Sequence, residues 1–212
     1  MVVGKLIAFE GPEGAGKSTQ IRHLATTFQS NGHSVLVTRE PGGTPTGDAI
    51  RLVVLNPNLE INPLAEFLLY SASRAQHVSD VIRPALKDSK IVLTDRFAGA
   101  STAYQGHGRG LDLSFVELLN DKAASGLSPD LTILLDIDPV VGLERVGNRG
   151  NADRIEQADL QFHQRARQGF LLIANSDPSW VILDGNLNEY ELASTIWKTV
   201  QNCFFKQSSG NS

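Results

Sequence analysis

Residues Gly11-Pro-Glu-Gly-Ala-Gly16-Lys17-Ser18 fit the spacing G-x-x-x-x-G-K-[ST], and the chemistry of that spacing is polyphosphate binding. Gly11, Gly14 and Gly16 let the backbone turn tightly, so that successive N–H groups face anionic oxygens. A helix that follows adds the positive end of its dipole at the same point. Lys17 is placed to reach the outer phosphates, and the Ser18 hydroxyl to ligate Mg²⁺. The pattern also arises by chance as a plain glycine turn. Its flanks argue against that: Lys5–Glu10 reads as a buried strand, and Ile21, Leu24, Ala25 and Phe28 recur at helical spacing.

More charge lies where other strands should end. Thr38-Arg39-Glu40-Pro41-Gly42-Gly43-Thr44, Asp95-Arg96-Phe97 and Asp136 each close an apolar run. Ligands of open α/β sheets sit beyond those carboxyl ends. Asp95 is the candidate to hold Mg²⁺ with Ser18, whereas Asp136, with Asp138, equally suits a helix cap. Tyr70 and Arg74 lie four apart on an expected helix after Pro63. They could stack on and bond a nucleobase, or be a core tyrosine beside a surface arginine. Ser101–Gly110 reads as a polar, glycine-rich loop with Tyr104 and Gln105, and Arg51 as a helical residue that could be a plain surface charge. Gly147–Arg154 is polar and carries Arg149 and Arg154; it is either a solvated connection or a lid over phosphates, and the arginines favour a lid. No histidine has a second histidine or cysteine at zinc-ligand spacing, and no nucleophile elbow is present.

The elements that must position these residues alternate. Apolar runs at Lys5–Glu10, Ser34–Arg39, Ile91–Asp95, Leu131–Asp136 and Trp180–Asp184 are separated by helical patterns, which predicts an α/β fold with a central parallel sheet flanked by helices. Asn188 with Glu191 marks the start of the last helix. The length of 212 residues suits one domain, 1–212, with a lid near 147–155 and a frayed tail at 207–212. Hydrophobic content of 41% and charged content of 20% are those of a globular chain. A net charge of −4 argues against a general nucleic-acid binder. No apolar run is long enough for a bilayer and no signal-peptide pattern opens the chain, so no membrane association and a cytoplasmic location are expected. The one cysteine, Cys203, excludes an intrachain disulfide and is expected to be buried beside Phe204.

The chain resembles the bacterial thymidylate kinases along nearly its whole length. The matching segments are FEGPEGAGKST at Phe9–Thr19, TREPGGT at Thr38–Thr44, LLYSASRAQH at Leu68–His77, DRF at Asp95–Phe97, STAYQGHGRGL at Ser101–Leu111, LLD at Leu134–Asp136 and DRIE at Asp153–Glu156. The resemblance implies a three-layer phosphate-loop kinase fold, phosphorylation of dTMP to dTDP with ATP and Mg²⁺, and a homodimer. It implies that Gly11, Pro12, Glu13, Gly14, Ala15, Gly16, Lys17, Ser18 and Thr19 hold ATP. It places Tyr70 on thymine, Arg74 on the base edge, Arg96 on the dTMP phosphate with Arg39 or Arg51 assisting, and Glu13 near the sugar 3′-hydroxyl. It also implies that Tyr104 packs on the deoxyribose and that Ser101 and Gln105 add polar contacts. Some relatives carry an arginine inside the phosphate loop; here Pro12, Glu13, Gly14 and Ala15 occupy it, and Arg149 and Arg154 supply the charge from the lid. The remaining alternatives are another nucleotide or nucleoside kinase and a phosphate-loop switch that hydrolyses nucleotide without an acceptor.

Overall fold

The computed structural model describes residues 4–147, 150 and 152–205. Five strands form one parallel sheet: β1 (Lys5–Glu10), β2 (Val35–Arg39), β3 (Ile91–Asp95), β4 (Leu131–Asp136) and β5 (Trp180–Asp184), in the order β2-β3-β1-β4-β5. Four of the five expected strands have the expected bounds, and β2 starts one residue later. The chain leaves β1 toward one sheet edge and later crosses to the other, so the order reverses beside β1. That is where an open α/β sheet opens its ligand crevice.

Alternation along the strands sends side chains to two apolar layers. Ile7 and Phe9 of β1, with Leu93, Ile133 and Leu135, pack against α1 (Lys17–Ser30) and α9 (Glu189–Phe204). Phe28 and Trp197 meet edge to face there, with centroids 5.4 Å apart. Leu6, Ala8 and Val92 face the opposite layer. That layer contains α3 (Pro63–His77), a π-helical turn Val78–Ile82, α4 (Arg83–Lys87), α6 (Leu113–Ala124) and α8 (Leu160–Ser176). The helix starts obey local chemistry. Thr44 caps α2 (Pro45–Val54) at Gly47 N, and Asn188 caps α9 at Tyr190 N and Glu191 N.

Two sequence expectations fail. Ser101–Gly108 is helical, and only Arg109 and Gly110 of the expected loop are not: α5 (Ala98–Ser101) runs into a π-helical stretch Thr102–Gly108. Its glycines serve close packing, since a Cβ on Gly108 would lie 2.8 Å from Phe162 and one on Gly106 2.6 Å from Leu113. Cys203 is exposed, because the apolar face of α9 is formed by Leu192, Ile196 and Val200. The remaining helix, α7 (Pro139–Gly147), leads to the expected lid, in which residues 148, 149 and 151 lie outside the described residues. So does the expected tail at 207–212.

Candidate active site

The phosphate loop connects β1 to α1 through three glycines with positive φ. Gly14 shows why the type is needed: at φ 71° a Cβ would also lie 2.1 Å from the Gly142 carbonyl oxygen of α7. Gly16, left-handed, is the N-cap that starts α1. Lys17 folds over the loop and donates to the carbonyls of Gly11 (2.9 Å) and Pro12 (2.8 Å). Pro12 has no N–H to offer an anion, so its part is that carbonyl. Ser18 Oγ donates to Asp95 Oδ2 at 2.7 Å, joining the start of α1 to the end of β3. Burial, aided by the nearby Arg96 charge, pulls the Lys17 ammonium down to about 8 against the pull of Asp95, Glu13 and Glu10.

A cleft of about 290 Å³ opens at this point. Its walls include Glu13 through Thr19, Arg39, Arg51, Tyr70, Arg74, Asp95, Arg96, Ser101, Tyr104 and Gln105. Residues from five separate stretches of chain thus converge on the sheet end where the crevice belongs. Gly11 and Pro12 lie behind this surface. Asp136 also lies away from the cleft: it forms a two-pronged ion pair with Arg167, at 2.8 and 2.9 Å.

Arg96 is the hinge of the cleft. Its backbone is left-handed (φ 71°), and its N–H donates to the Phe9 carbonyl. The guanidinium donates to Gly11 O (3.1 Å), Glu13 Oε1 (2.8 Å) and Tyr104 Oη (3.3 Å) and lies over the Tyr104 ring. Burial works against its charge, but Tyr104, Glu13, Glu10 and Asp95 outweigh that and hold it protonated. Burial pushes Glu13 up, yet Arg96, a bond from His163, Lys17 and the Tyr104 hydroxyl bring it down to about 2. Glu10, three residues earlier, is pushed up to about 7 by burial despite Arg96 and the N–H groups of Phe97 and Ala100.

Arg74 is almost fully buried behind Tyr70. It donates to Glu40 Oε2 (2.8 Å), Asn120 Oδ1 (2.6 Å), Phe97 O (3.1 Å) and Ser101 Oγ (3.0 Å). Glu40 in turn faces His77 Nδ1 (3.1 Å), whose Nε2 is 2.6 Å from Thr38 Oγ1. Burial and the neighbouring Glu66 raise the Tyr70 phenol, which keeps it un-ionised. Arg39 pairs with Asp48, and Arg51 donates to the Pro41 carbonyl. Burial and then the Arg39 charge lower Arg51.

Glu66 collects the third set of charges. Fully buried, it accepts from Gln105 (2.8 Å) and Arg109 (3.1 Å) and pairs with Arg154 Nη2 at 2.6 Å. Arg154 also donates to the Val54 carbonyl, so it is tied to α2 and α3 and stays out of the cleft surface. Arg149 lies outside the described residues. Glu40, Glu66, Asn120 and His163 had no sequence-based role. Only Glu40 had a signal, from its place inside TREPGGT.

Comparisons with known proteins agree with this geometry. The family model for thymidylate kinase matches residues 9–196. A thymidylate kinase from Deinococcus radiodurans is 54% identical over 201 residues, covering 94% of this chain and 98% of the relative. One from Syntrophotalea carbinolica is 48% identical over 204 residues, covering 92% and 94%. The crystal structure of thymidylate kinase from Ehrlichia chaffeensis superposes with a TM-score of 0.73 at 30% identity, covering 93% of this chain and 99% of that one. With the phosphate loop, the parallel sheet and the arginine-lined cleft all in place, the chain belongs to the thymidylate kinase family.

Proposed function

We propose that this chain, as a single domain spanning 1–212, transfers the γ-phosphoryl group of ATP to the phosphate of dTMP and releases dTDP and ADP. One observation carries the reading: Arg96 bonds the phosphate loop at Gly11 and Glu13 and stacks on Tyr104, so one guanidinium borders both a donor cradle and an aromatic-walled acceptor pocket.

The acceptor oxygen is already anionic, so no general base is required. The difficulty is the mutual repulsion of two nucleotides and the charge on the transferring group, which positioned cations can offset. Backbone N–H groups of residues 13–19 hold the donor phosphates, and Lys17 leaves the carbonyls of Gly11 and Pro12 to meet them. Arg96, assisted by Arg39 and Arg51, holds the acceptor phosphate. Tyr70 stacks on thymine, Arg74 and Ser101 present polar groups to its edge, and Gln105 adds a contact. Tyr104 packs on the deoxyribose, and Glu13 takes the 3′-hydroxyl. Ser18 and Asp95 fit Mg²⁺, since their hard oxygens are 2.7 Å apart and such a site leaves its other positions to water and phosphate. When bound, the ion neutralises donor phosphate charge. Arg154 reaches the transferring group once its pair with Glu66 opens, which is the lid role expected of this part of the chain.

The active species is a homodimer. Leu52 of α2, Leu68 of α3 and Leu118 of α6 are 77%, 48% and 58% exposed on adjoining helices, an apolar face suited to a second copy. Among the described residues no helix is long and apolar enough to cross a membrane. We assign the protein to the cytoplasm. The test is an acceptor panel of dTMP, dUMP, AMP, GMP, CMP and thymidine with ATP as donor. Preference for dTMP supports the reading. Turnover of another acceptor, or hydrolysis that ignores all of them, overturns it.

A further inference from the structure

A second cavity of about 330 Å³ lies behind the acceptor pocket, between α6 and the C-terminal end of α8, with β1 and β4 as its floor. Phe97 is common to both. Among the described residues no lysine, arginine or histidine lines the second cavity, whereas Glu10, Glu117, Asp121 and Asp177 do. Acidic residues alone would mark only a solvated rim. Glu10 is different. It is fully buried, and its Oε1 accepts from Phe97 N (2.9 Å) and Ala100 N (3.0 Å). Its Oε2, also buried, has no hydrogen-bond partner among the described residues. Buried carboxyl oxygens are nearly always bonded, so a carboxyl left half-satisfied on a cavity wall calls for a donor from outside the chain. A positive donor suits it best, given three further carboxylates and, among the described residues, no basic side chain on the walls. The rest of the lining mixes apolar side chains, Trp180, Phe97, Ile173 and Leu127 among them, with uncharged polar ones such as Thr102 and Asn120.

We propose that this cavity is a second binding site, for a small organic cation: an amine or amidine on an apolar body. Its N–H groups donate to Glu10 Oε2, its charge faces Glu117 and Asp121, and its body lies against Trp180.

The same walls hold the acceptor pocket from behind. Glu10 fixes the N–H groups of Phe97 and Ala100, directly after Arg96. Asn120 accepts from Arg74 at 2.6 Å while its amide donates to Ala98 O and Thr102 Oγ1. A ligand that re-aims Glu10 or Asn120 therefore acts on Arg96 or Arg74, and occupancy of the cavity alters dTMP affinity. This coupling rests on the acceptor assignment; the binding does not.

The test is calorimetric titration of benzamidine into the full chain saturated with dTMP and a non-hydrolysable ATP analogue, so that the first cleft is filled. One saturable site is expected, with benzyl alcohol and benzoate at least tenfold weaker. Two variants carry substitutions at exposed rim positions. Glu117→Gln combined with Asp121→Asn should weaken benzamidine about tenfold, and Ser176→Trp should abolish its binding by plugging the mouth. No saturation at millimolar benzamidine, equal binding of benzoate, or indifference to both variants overturns the site. For the coupling, saturating benzamidine should move the KM for dTMP at least threefold in the unaltered chain and not in Ser176→Trp. A KM that does not move overturns the coupling and leaves the titration to decide the site.

Discussion

In the proposed mechanism the donor and acceptor sides of the cleft hold their charges by opposite means. On the donor side, consecutive residues do the work: a glycine-punctuated turn aims backbone N–H groups, and one lysine rests on the carbonyls of the same turn. On the acceptor side the cations come from distant elements, and acidic or amide side chains fix them. Arg96 is held by Glu13, Arg74 by Glu40 and Asn120, and Arg154 by Glu66. A backbone cradle gives affinity for any polyphosphate, whereas guanidinium groups locked by buried partners fix one acceptor geometry. Selectivity should therefore be lost through side-chain changes that leave ATP binding intact.

The largest effect should come from Arg96, which borders both sides. Arg96→Ala removes the charge that, in the proposed mechanism, offsets repulsion between the nucleotides. The expected fall in kcat/KM for dTMP is about a thousandfold or more, with ATP affinity by calorimetry altered less than about threefold. A fall under tenfold would remove Arg96 from the mechanism. Equal loss of ATP binding would erase the distinction between the two sides.

That distinction also explains how much could be read beforehand. The donor side was legible because its signal is local: a strand, three glycines and a helix start within fifteen residues. The central strands were legible because buried parallel strands are short and continuously apolar, and the half-exposed edge strands β2 and β5 because they too are short apolar runs. The acceptor side was legible only as a set of residue types. Its geometry depends on partners far apart in the chain: Arg74 and Glu40 are separated by 34 positions, Arg109 and Glu66 by 43, and Tyr104 and Glu13 by 91. No window contains both members, so Glu40, Glu66 and His163 could not be given roles. The stretch at Ser101–Gly110 misled for a related reason. Its glycines resemble loop residues until Phe162 and Leu113 are seen against them.

Glu10 and Glu13 give the next effect, on stability. Glu10 has a raised value near 7, so the folded chain binds more protons than the unfolded one between about pH 4.5 and 7. Its contribution is fully present below about pH 4.5 and is lost as pH rises through 7. Glu13, depressed to about 2, contributes above about pH 4.5 and loses that contribution as pH falls toward 2. Glu10→Gln keeps an oxygen for the N–H groups of Phe97 and Ala100 and removes the titration. The variant should gain on the order of 3 kcal/mol over the unaltered chain at pH 8, shrinking to nothing near pH 4.5. Urea unfolding across that range checks it, and a gain independent of pH would show that burial of the charge is not the cause.

Arg154 tests whether a cation can serve both sides in turn. It is 11% exposed and tied to Glu66. If it moves to the transferring phosphoryl group, Arg154→Ala lowers kcat about a hundredfold while the KM for dTMP changes little. If its role ends at Glu66, the variant loses stability and keeps kcat.

The smallest effect should be the most discriminating. Arg74 spends its guanidinium on Glu40, Asn120, the Phe97 carbonyl and Ser101, a fan that only a planar fork can cover. Arg74→Lys keeps the charge opposite Glu40, so the pair is not left as a bare buried carboxylate. An ammonium on a single stem cannot also reach Asn120 and Ser101, which frees the side chains that shape the rear of the acceptor pocket. The KM for dTMP should rise about tenfold while kcat and the KM for ATP hold within about twofold, because the donor cradle contains no contact to Arg74. A proportional loss for both nucleotides would mean that the two sides share a framework after all, and that locked side chains and backbone turn cannot be perturbed separately.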